Sequence, residues 1–485
     1  MPSAPLISRP VWWLLAISLV SPHGGGAAVR ARDGSKLVRL VGVPVGPDQS
    51  GIGSLRAVDS LLFFATGGAR NALWRSNGRP TGTRPLRDVA FKLDPNDQYE
   101  FVGVDGKLFF TRDASVDGPR ELWVTNGRFG GAKLLAQRLA ENLTAVNGSL
   151  FFISPERGAN VLWRSDGTPE GTAQVAVINA GGPGSTGPFG FTAVGGRLFF
   201  FLGDDANQMI ALYVSDGTTT GMSKVAGVGG TWIVDAGGVA LFSDRQHLWR
   251  SDGTSAGTSQ LADVGSGHIL QDPVQVVGNV VFFFVDYSSI DQALWRSDGT
   301  VAGTHVVADG EQGQRFGWPD VTAAELGGTL YFGAADPVRG HALWRSDGTD
   351  AGTLPVADPY PDSSSSLGLA WLTTLDTTLF FTVEDHTGKR QLWRSDGTES
   401  GTKAVSDKRV FSDPHLEPTF LTVVGKTLFF ILSDTSLGFQ GHELWALTRR
   451  GRDDDHRRHD SAPGRPQQEQ APARRHPPGR APGRQ

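Results

Sequence analysis

The sequence predicts an all-β protein, a single closed β-propeller of eight or nine four-stranded blades, with nine preferred. Three observations carry this. Gly and Pro supply 64 and 28 of the 485 residues, about 19% where ~12% is ordinary, so the chain turns often. The string Leu-Trp-Arg-Ser-Asp-Gly-Thr-x-x-Gly-Thr recurs almost unchanged at 162–172, 248–258, 294–304, 343–353 and 392–402, with weaker copies from Leu73, Leu122 and Leu212 and a truncated one at Leu444-Trp445. Its aromatic position, Trp74, Trp123, Trp163, Tyr213, Trp249, Trp295, Trp344, Trp393 and Trp445, recurs at intervals of 49, 40, 50, 36, 46, 49, 49 and 52 residues, the mark of a repeat array.

Taken from the N-terminus, residues 1–28 read as a secretory signal peptide. Arg9 precedes the apolar run Val11 to Val20, and small residues follow from Gly24 to Ala28. That run is too short to span a bilayer, which needs about 20 residues, so the mature chain is expected to be exported and without a membrane span. Next comes Asp33 to Val41, a strand with no hairpin partner before it.

The repeats occupy the rest of 29–448. Each opens on an apolar strand and a tight turn such as Asp105-Gly106, Asn147-Gly148 or Gly327-Gly328, pairs that tolerate positive φ. A second strand follows with an apolar doublet or triplet, as in Leu62-Phe63-Phe64, Leu150-Phe151-Phe152 and Leu428-Phe429-Phe430. After a variable loop come the Leu-Trp strand, the Asp-Gly turn and a fourth strand. In the sixth unit these four fall at 273–277, 280–285, 293–297 and 304–308. The last unit stops at Thr448 without its fourth strand, and Asp33 to Val41 is the orphan that can supply it. Pairing the two closes the ring and leaves no open sheet edge there. The 36-residue interval before Trp249 leaves open that the fifth unit is degenerate. From Arg449 to Gln485 the chain is Arg, Pro, Gln, His and Gly with nothing apolar larger than Ala, a composition that predicts a disordered tail.

Composition limits the chemistry. With no Cys there are no disulfides, thiolate metal sites or thiol nucleophiles. Residues 29–448 hold 34 basic against 45 acidic residues, which argues against a nucleic-acid partner. The motifs His-Glu-x-x-His, Gly-x-Ser-x-Gly and Gly-x-x-x-x-Gly-Lys do not occur, so no catalytic residue, metal ligand or cofactor is assigned. Side chains that recur in every unit serve what every blade needs. Trp163, Trp249, Trp295, Trp344 and Trp393 are expected in the inter-blade core. The pairs Asp166-Gly167, Asp252-Gly253, Asp298-Gly299, Asp347-Gly348 and Asp396-Gly397 are expected as side-chain-stabilised turns rather than calcium ligands, because carboxylates a whole blade apart cannot converge on an ion that needs six to eight oxygens.

The unbroken Asp-Gly-Thr-x-x-Gly-Thr ends, together with Glu121-Leu122-Trp123 and Glu443-Leu444-Trp445, resemble the ELWxxDGT repeat proteins, an exported family found notably in myxobacteria. The resemblance covers about Arg32 to Thr448 and implies export with a surface or extracellular role, but no shared activity. Ala72, Ala293 and Ala342 depart from the Glu, which marks that position as a tolerant edge.

The connections that vary from unit to unit all fall on one face, the expected binding surface. They and the strands they lead into carry Phe189, Arg315, Phe316, Trp318, Tyr360, Asp362, Trp371 and His415, with Trp318 and Trp371 outside the repeat register. Three readings stay open. The first is a monomeric, non-enzymatic binding or adhesion scaffold for envelope or matrix polysaccharide or a surface protein. The second is a propeller hydrolase or lyase acting on extracellular polysaccharide. The third is a structural subunit of a surface assembly.

Overall fold

A computed structural model describes residues 28–30, 36–44, 51–67, 72–90, 100–113, 120–156, 158–178, 187–204, 209–270, 274–288, 291–308, 322–336, 340–360, 368–385, 387–405, 416–434, 441–448 and 483. The chain folds as nine antiparallel sheets in a ring, a nine-bladed β-propeller. Blades 1 to 8 span 52–90, 101–136, 141–178, 189–226, 232–263, 268–308, 323–357 and 369–404. The fifth blade is complete, with four strands within 232–263, so the short interval before Trp249 trims loops and not the sheet. Blade 6 has its first strand interrupted, His268–Ile269 and Gln275–Val277 both pairing with Val280–Ser288. The expected signal peptide, Ala28 apart, and the expected tail, Gly483 apart, lie outside the described residues.

Blade 9 is built from both ends of the repeat region. Its first three strands are Leu416–Val424, Thr427–Asp434 and Gly441–Thr448, and its fourth is Lys36–Pro44, paired from Lys36↔Thr448 to Pro44↔Gly441. The closure expected from the orphan strand is present, and Ala28–Arg30 adds a short fifth strand outside it. Among the described residues no helix is long and apolar enough to cross a membrane.

Alternation along the second strand makes the ring. Side chains at successive positions point to opposite faces of a sheet, so neighbouring Phe residues enter different inter-blade layers. Phe63 packs with blade 2 and Phe64 with blade 9. Phe151 likewise packs with blade 4 and Phe152 with blade 2. The buried core accordingly divides into nine clusters, each joining two adjacent blades. Phe63, Phe64, Phe109, Phe110, Phe152 and Phe199 to Phe201 are among the fully buried side chains, each worth about 1.5–3 kcal/mol.

Every repeat aromatic joins the layer shared with the preceding blade, opposite a Phe of its own second strand, as in Phe152↔Trp163 and Phe283↔Trp295. The rings stack, Phe152 on Trp163 at 6.2 Å and 16° and Phe242 on Trp249 at 6.3 Å and 16°. Trp163, Trp249, Trp295, Trp344 and Trp393 therefore pack between blades. First strands touch in eight of the nine neighbouring pairs of blades, that of blade 9 touching that of blade 1, so first strands surround the axis and fourth strands form the rim. Turns between strands one and two and between strands three and four share one face, where Lys107 Nζ donates to the Asp166 carbonyl at 3.1 Å. The remaining connections share the other.

Candidate functional site

The repeated Asp-Gly turn is a closed network of hydrogen bonds. In blade 3 the Ser165 Oγ accepts from Gly167 N (3.1 Å) and lies 2.8 Å from Thr172 Oγ1. Thr172 in turn donates to the Thr168 carbonyl (2.7 Å). Asp166 Oδ1 accepts from Thr168 N (2.8 Å) and Thr168 Oγ1 (2.7 Å), while Thr168 Oγ1 accepts from Gly171 N (2.9 Å). Each hydroxyl has one proton, so the directions follow: Ser165 donates to Thr172, Thr172 to a carbonyl and Thr168 to Asp166.

The same arrangement stands at Asp252, Asp298, Asp347 and Asp396. Gly167, Gly253, Gly299, Gly348 and Gly397 hold φ of 87°, 85°, 84°, 89° and 89°, a region open to Gly. The second glycine is equally constrained, because a Cβ at Gly171 would overlap the Asp166 carboxylate. The Thr168 hydroxyl and amide hold the Asp166 carboxyl below its ordinary pKa, and Asp298, Asp347 and Asp396 follow the same pattern. These carboxylates are occupied in shaping a turn.

The Glu of Glu-Leu-Trp has a task that the sequence reading missed. Glu121 is buried, and its Oε2 accepts from Trp123 Nε1 at 2.8 Å and from Arg112 Nε at 2.9 Å. Glu443 Oε2 accepts from Trp445 Nε1 at 3.0 Å. In three blades that lack this Glu another residue supplies the acceptor: Thr66 Oγ1 for Trp74, Glu156 Oε1 for Trp163 and Asp244 Oδ2 for Trp249, each at 3.0 Å.

With the repeated residues accounted for by the fold, the unrepeated ones define the site. Of the eight residues singled out on the variable face, Arg315, Phe316, Trp318, Asp362 and His415 lie outside the described residues. Phe189 is half-buried at the start of Phe189–Val194, its ring 5.5 Å from Phe201. Tyr360 is half-buried against Trp393, rings 5.8 Å apart and near perpendicular, and burial raises its phenol pKa. Both seal inter-blade layers.

Trp371 differs. It lies on Leu369–Leu375, the first strand of blade 8, and is 37% exposed. Its ring centroid is 4.7 Å from that of Phe420, which lies on the first strand of blade 9 and is 40% exposed. Both sit in β-bulges, where the register shifts between Ala370 and Thr373 and between Thr419 and Thr422. Both have left-handed backbones, φ 57° and 55°.

Corresponding bulges in blades 1, 3 and 4 place Ser54, Asn142 and Gly190 at positive φ. In each of the five, the bulge residue stands five positions before the first residue of the following turn (Asp59, Asn147, Gly195, Asp376 and Gly425). The residue after it is Leu55, Leu143, Phe191, Leu372 or Leu421, which enters the inter-blade core. The bulge thus turns one side chain inward and leaves its neighbour at the wall of the axial channel. Two preceding blades help to hold it: Glu100 accepts from Asn142 N (2.8 Å) and from Leu143 N, and Thr322 Oγ1 accepts from Leu372 N (2.7 Å).

Left-handed geometry costs a side-chain-bearing residue roughly 1–2 kcal/mol, with Asn and Gly the usual occupants. Blades 8 and 9 instead seat two large aromatics there, in contact with each other and open to solvent. The fold does not require them, since Ser, Asn and Gly do the same backbone work elsewhere in the ring. Such strain in an exposed pair makes it the candidate site among the described residues. Among the described residues, no group of three or more His, Asp or Glu converges as metal ligands.

No family model matches the chain. A search of curated proteins finds no matching relative. Solved structures are similar at low identity. A prolyl endopeptidase is 13% identical with a TM-score of 0.38, matching 70% of this chain and 54% of that one. The acylaminoacyl peptidase of Pyrococcus horikoshii is 12% identical with a TM-score of 0.38, over 79% and 57%. The propeller domain of the Trilobed protease from Pyrococcus furiosus is 13% identical with a TM-score of 0.36, over 75% and 98%. The chain thus spans little more than half the length of the two peptidases, and similarity at this level says nothing of its activity.

Proposed function

We propose that the protein is an exported, non-enzymatic propeller of the ELWxxDGT type that acts as a binding or adhesion scaffold at the cell surface or in the extracellular matrix. Trp371 and Phe420 are the centre of its binding surface. The observation that carries this reading is the pair itself: two adjacent large aromatics, 37% and 40% exposed, held at positive φ beside the axial channel. Aromatic anchors of this kind dominate recognition surfaces because they bring large contact area at low side-chain entropy cost. The repeated carboxylates, by contrast, are committed to their turns. The apolar run at Val11 to Val20 supports export, and the Glu-Leu-Trp and Asp-Gly-Thr strings support the family.

The test is co-sedimentation of the full chain with bacterial exopolysaccharides and envelope fractions, together with an assay for new reducing ends. Retention on an unchanged polymer, lost in Trp371→Ala and Phe420→Ala, is the expected result. New reducing ends, or retention indifferent to both substitutions, would overturn it.

A further inference from the structure

Resting on the binding role of this pair, we infer that the site takes a neutral pyranose chain, one sugar face laid against Trp371 and Phe420. The argument comes from what shares their height in the ring. Counting five residues back from each first hairpin turn reaches Thr322, Trp371, Phe420, Ser54, Glu100 and Asn142 in blades 7, 8, 9, 1, 2 and 3. First strands of neighbouring blades in this arc touch, so the six positions form one continuous band around the wall of the channel. The band reads hydroxyl, aromatic, aromatic, hydroxyl, carboxylate, carboxamide.

A sugar ring has an apolar C–H face and an equatorial fringe of hydroxyls that both donate and accept. The band offers both kinds of partner in sequence. The two aromatic rings pack against one another at 41° with centroids 4.7 Å apart, and with 37% and 40% of their surfaces open their outer faces offer an apolar platform to a pyranose. On either side Ser54 and Asn142 offer a hydroxyl and a carboxamide to the fringe, and Glu100 and Thr322 keep only the hydrogen-bonding capacity not taken by the Asn142, Leu143 and Leu372 amides.

Charge selects among sugars. Glu100 places a carboxylate in the band, and residues 29–448 carry 45 acidic against 34 basic residues, so a polyuronate meets repulsion that a neutral glycan does not. Phe129, at 78% exposure, has more open surface than either ring of the pair, yet it belongs to the turn after the third strand of blade 2, on the opposite face. It therefore serves as a control for apolar exposure without the band.

The experiment is calorimetric titration of the full chain with cellohexaose, mannohexaose, polygalacturonate and a proline hexapeptide. Expected is binding of at least one neutral hexaose, with Trp371→Ala and Phe420→Ala each weakening it by tenfold or more and Phe129→Ala leaving it unchanged. Far-ultraviolet circular dichroism confirms that each variant is folded, and Trp371→Phe, which keeps a ring at the position, restores part of the affinity. Binding of polygalacturonate or of the peptide through Trp371, with neither neutral hexaose bound, would overturn the sugar class while leaving the scaffold intact. Loss of every dependence on Trp371 and Phe420, here and in co-sedimentation, would overturn both.

Discussion

Replacing Ser346 by Ala tests whether the repeated turn is held by its internal hydrogen bonds. Ser346 and Thr353 are both fully buried. Ser346 Oγ accepts from Gly348 N at 3.1 Å and lies 2.8 Å from Thr353 Oγ1. Alanine removes both contacts and leaves the Gly348 amide buried without its acceptor. An unsatisfied buried donor costs about 1–3 kcal/mol and the lost hydrogen bond about 1 kcal/mol, offset in part by the extra apolar surface of Ala, so the expected loss is about 2 kcal/mol. Urea denaturation followed by tryptophan fluorescence measures it as a lower midpoint at unchanged slope.

The repeat adds an internal control. Ser165, Ser251, Ser297 and Ser395 accept from Gly167, Gly253, Gly299 and Gly397 at 3.1, 3.0, 3.1 and 3.0 Å, so Ala at each should cost the same to within about 0.5 kcal/mol. Blade 2 already carries Thr125 at this position, accepting from Gly127 N at 3.1 Å, so Ser346→Thr should retain most of the stability. A Ser346→Ala variant within about 0.5 kcal/mol of the parent, or five sites scattered over several kcal/mol, would refute the reasoning.

Asp347→Asn should be nearly neutral, since the amide oxygen can still accept from Thr349 N (2.9 Å) and Thr349 Oγ1 (2.7 Å), whereas Asp347→Ala should cost a modest amount, about 0.5–1 kcal/mol for an exposed group. Calcium or a chelator should change neither melting curve, and a chelator-induced fall in the parent alone would assign a metal to the turn. Acid should weaken the ring in two stages. Burial lowers the pKa of His442, whose Nδ1 accepts from Ile52 N at 3.0 Å across the seam between blades 9 and 1. That contribution is full above pH ~6.5 and declines as the unfolded chain takes up a proton that the folded chain resists. Asp166, Asp298, Asp347 and Asp396, also lowered, keep their contribution until the pH falls below ~4. In thermal melts across pH, His442→Asn should flatten the first stage and leave the second; an unchanged first stage would refute the assignment.

Most of the ring was legible in the sequence because one layer of packing is written nine times. Phe152 opposite Trp163 and Phe332 opposite Trp344 are the same contact, so the spacing of Trp alone marks the blades, and an unpaired Asp33 to Val41 predicts the closure. The site was half legible. Trp371 stands out because it breaks the repeat register. Phe420 does not, since Thr419-Phe420-Leu421 reads as ordinary alternation. Only a bulge, which inserts one residue and reverses the inside–outside order, turns Phe420 outward. The signal was the distance to the following turn, five residues from Phe420 to Gly425 as from Asn142 to Asn147. Phe189 and Tyr360 fall in or beside connections that vary from unit to unit, which predicts a place on the binding face, yet Phe201 and Trp393 draw them toward the core.

The seam in blade 9 also decides how the molecule answers to force. Lys36 pairs with Thr448 and Pro44 with Gly441, so the two ends of the repeat region leave the ring side by side. Tension applied between them strips the paired strands apart one rung at a time, whereas a pull along the strands would load all the rungs together. A tether running through both ends would therefore open the ring at its weakest geometry. Tension between Thr448 and the aromatic pair runs through the continuous strands Leu416–Val424, Thr427–Asp434 and Gly441–Thr448 and leaves the seam unloaded, whereas tension from Lys36 crosses it. Under the scaffold role proposed above, attachment through the C-terminal end is the one that spares the seam.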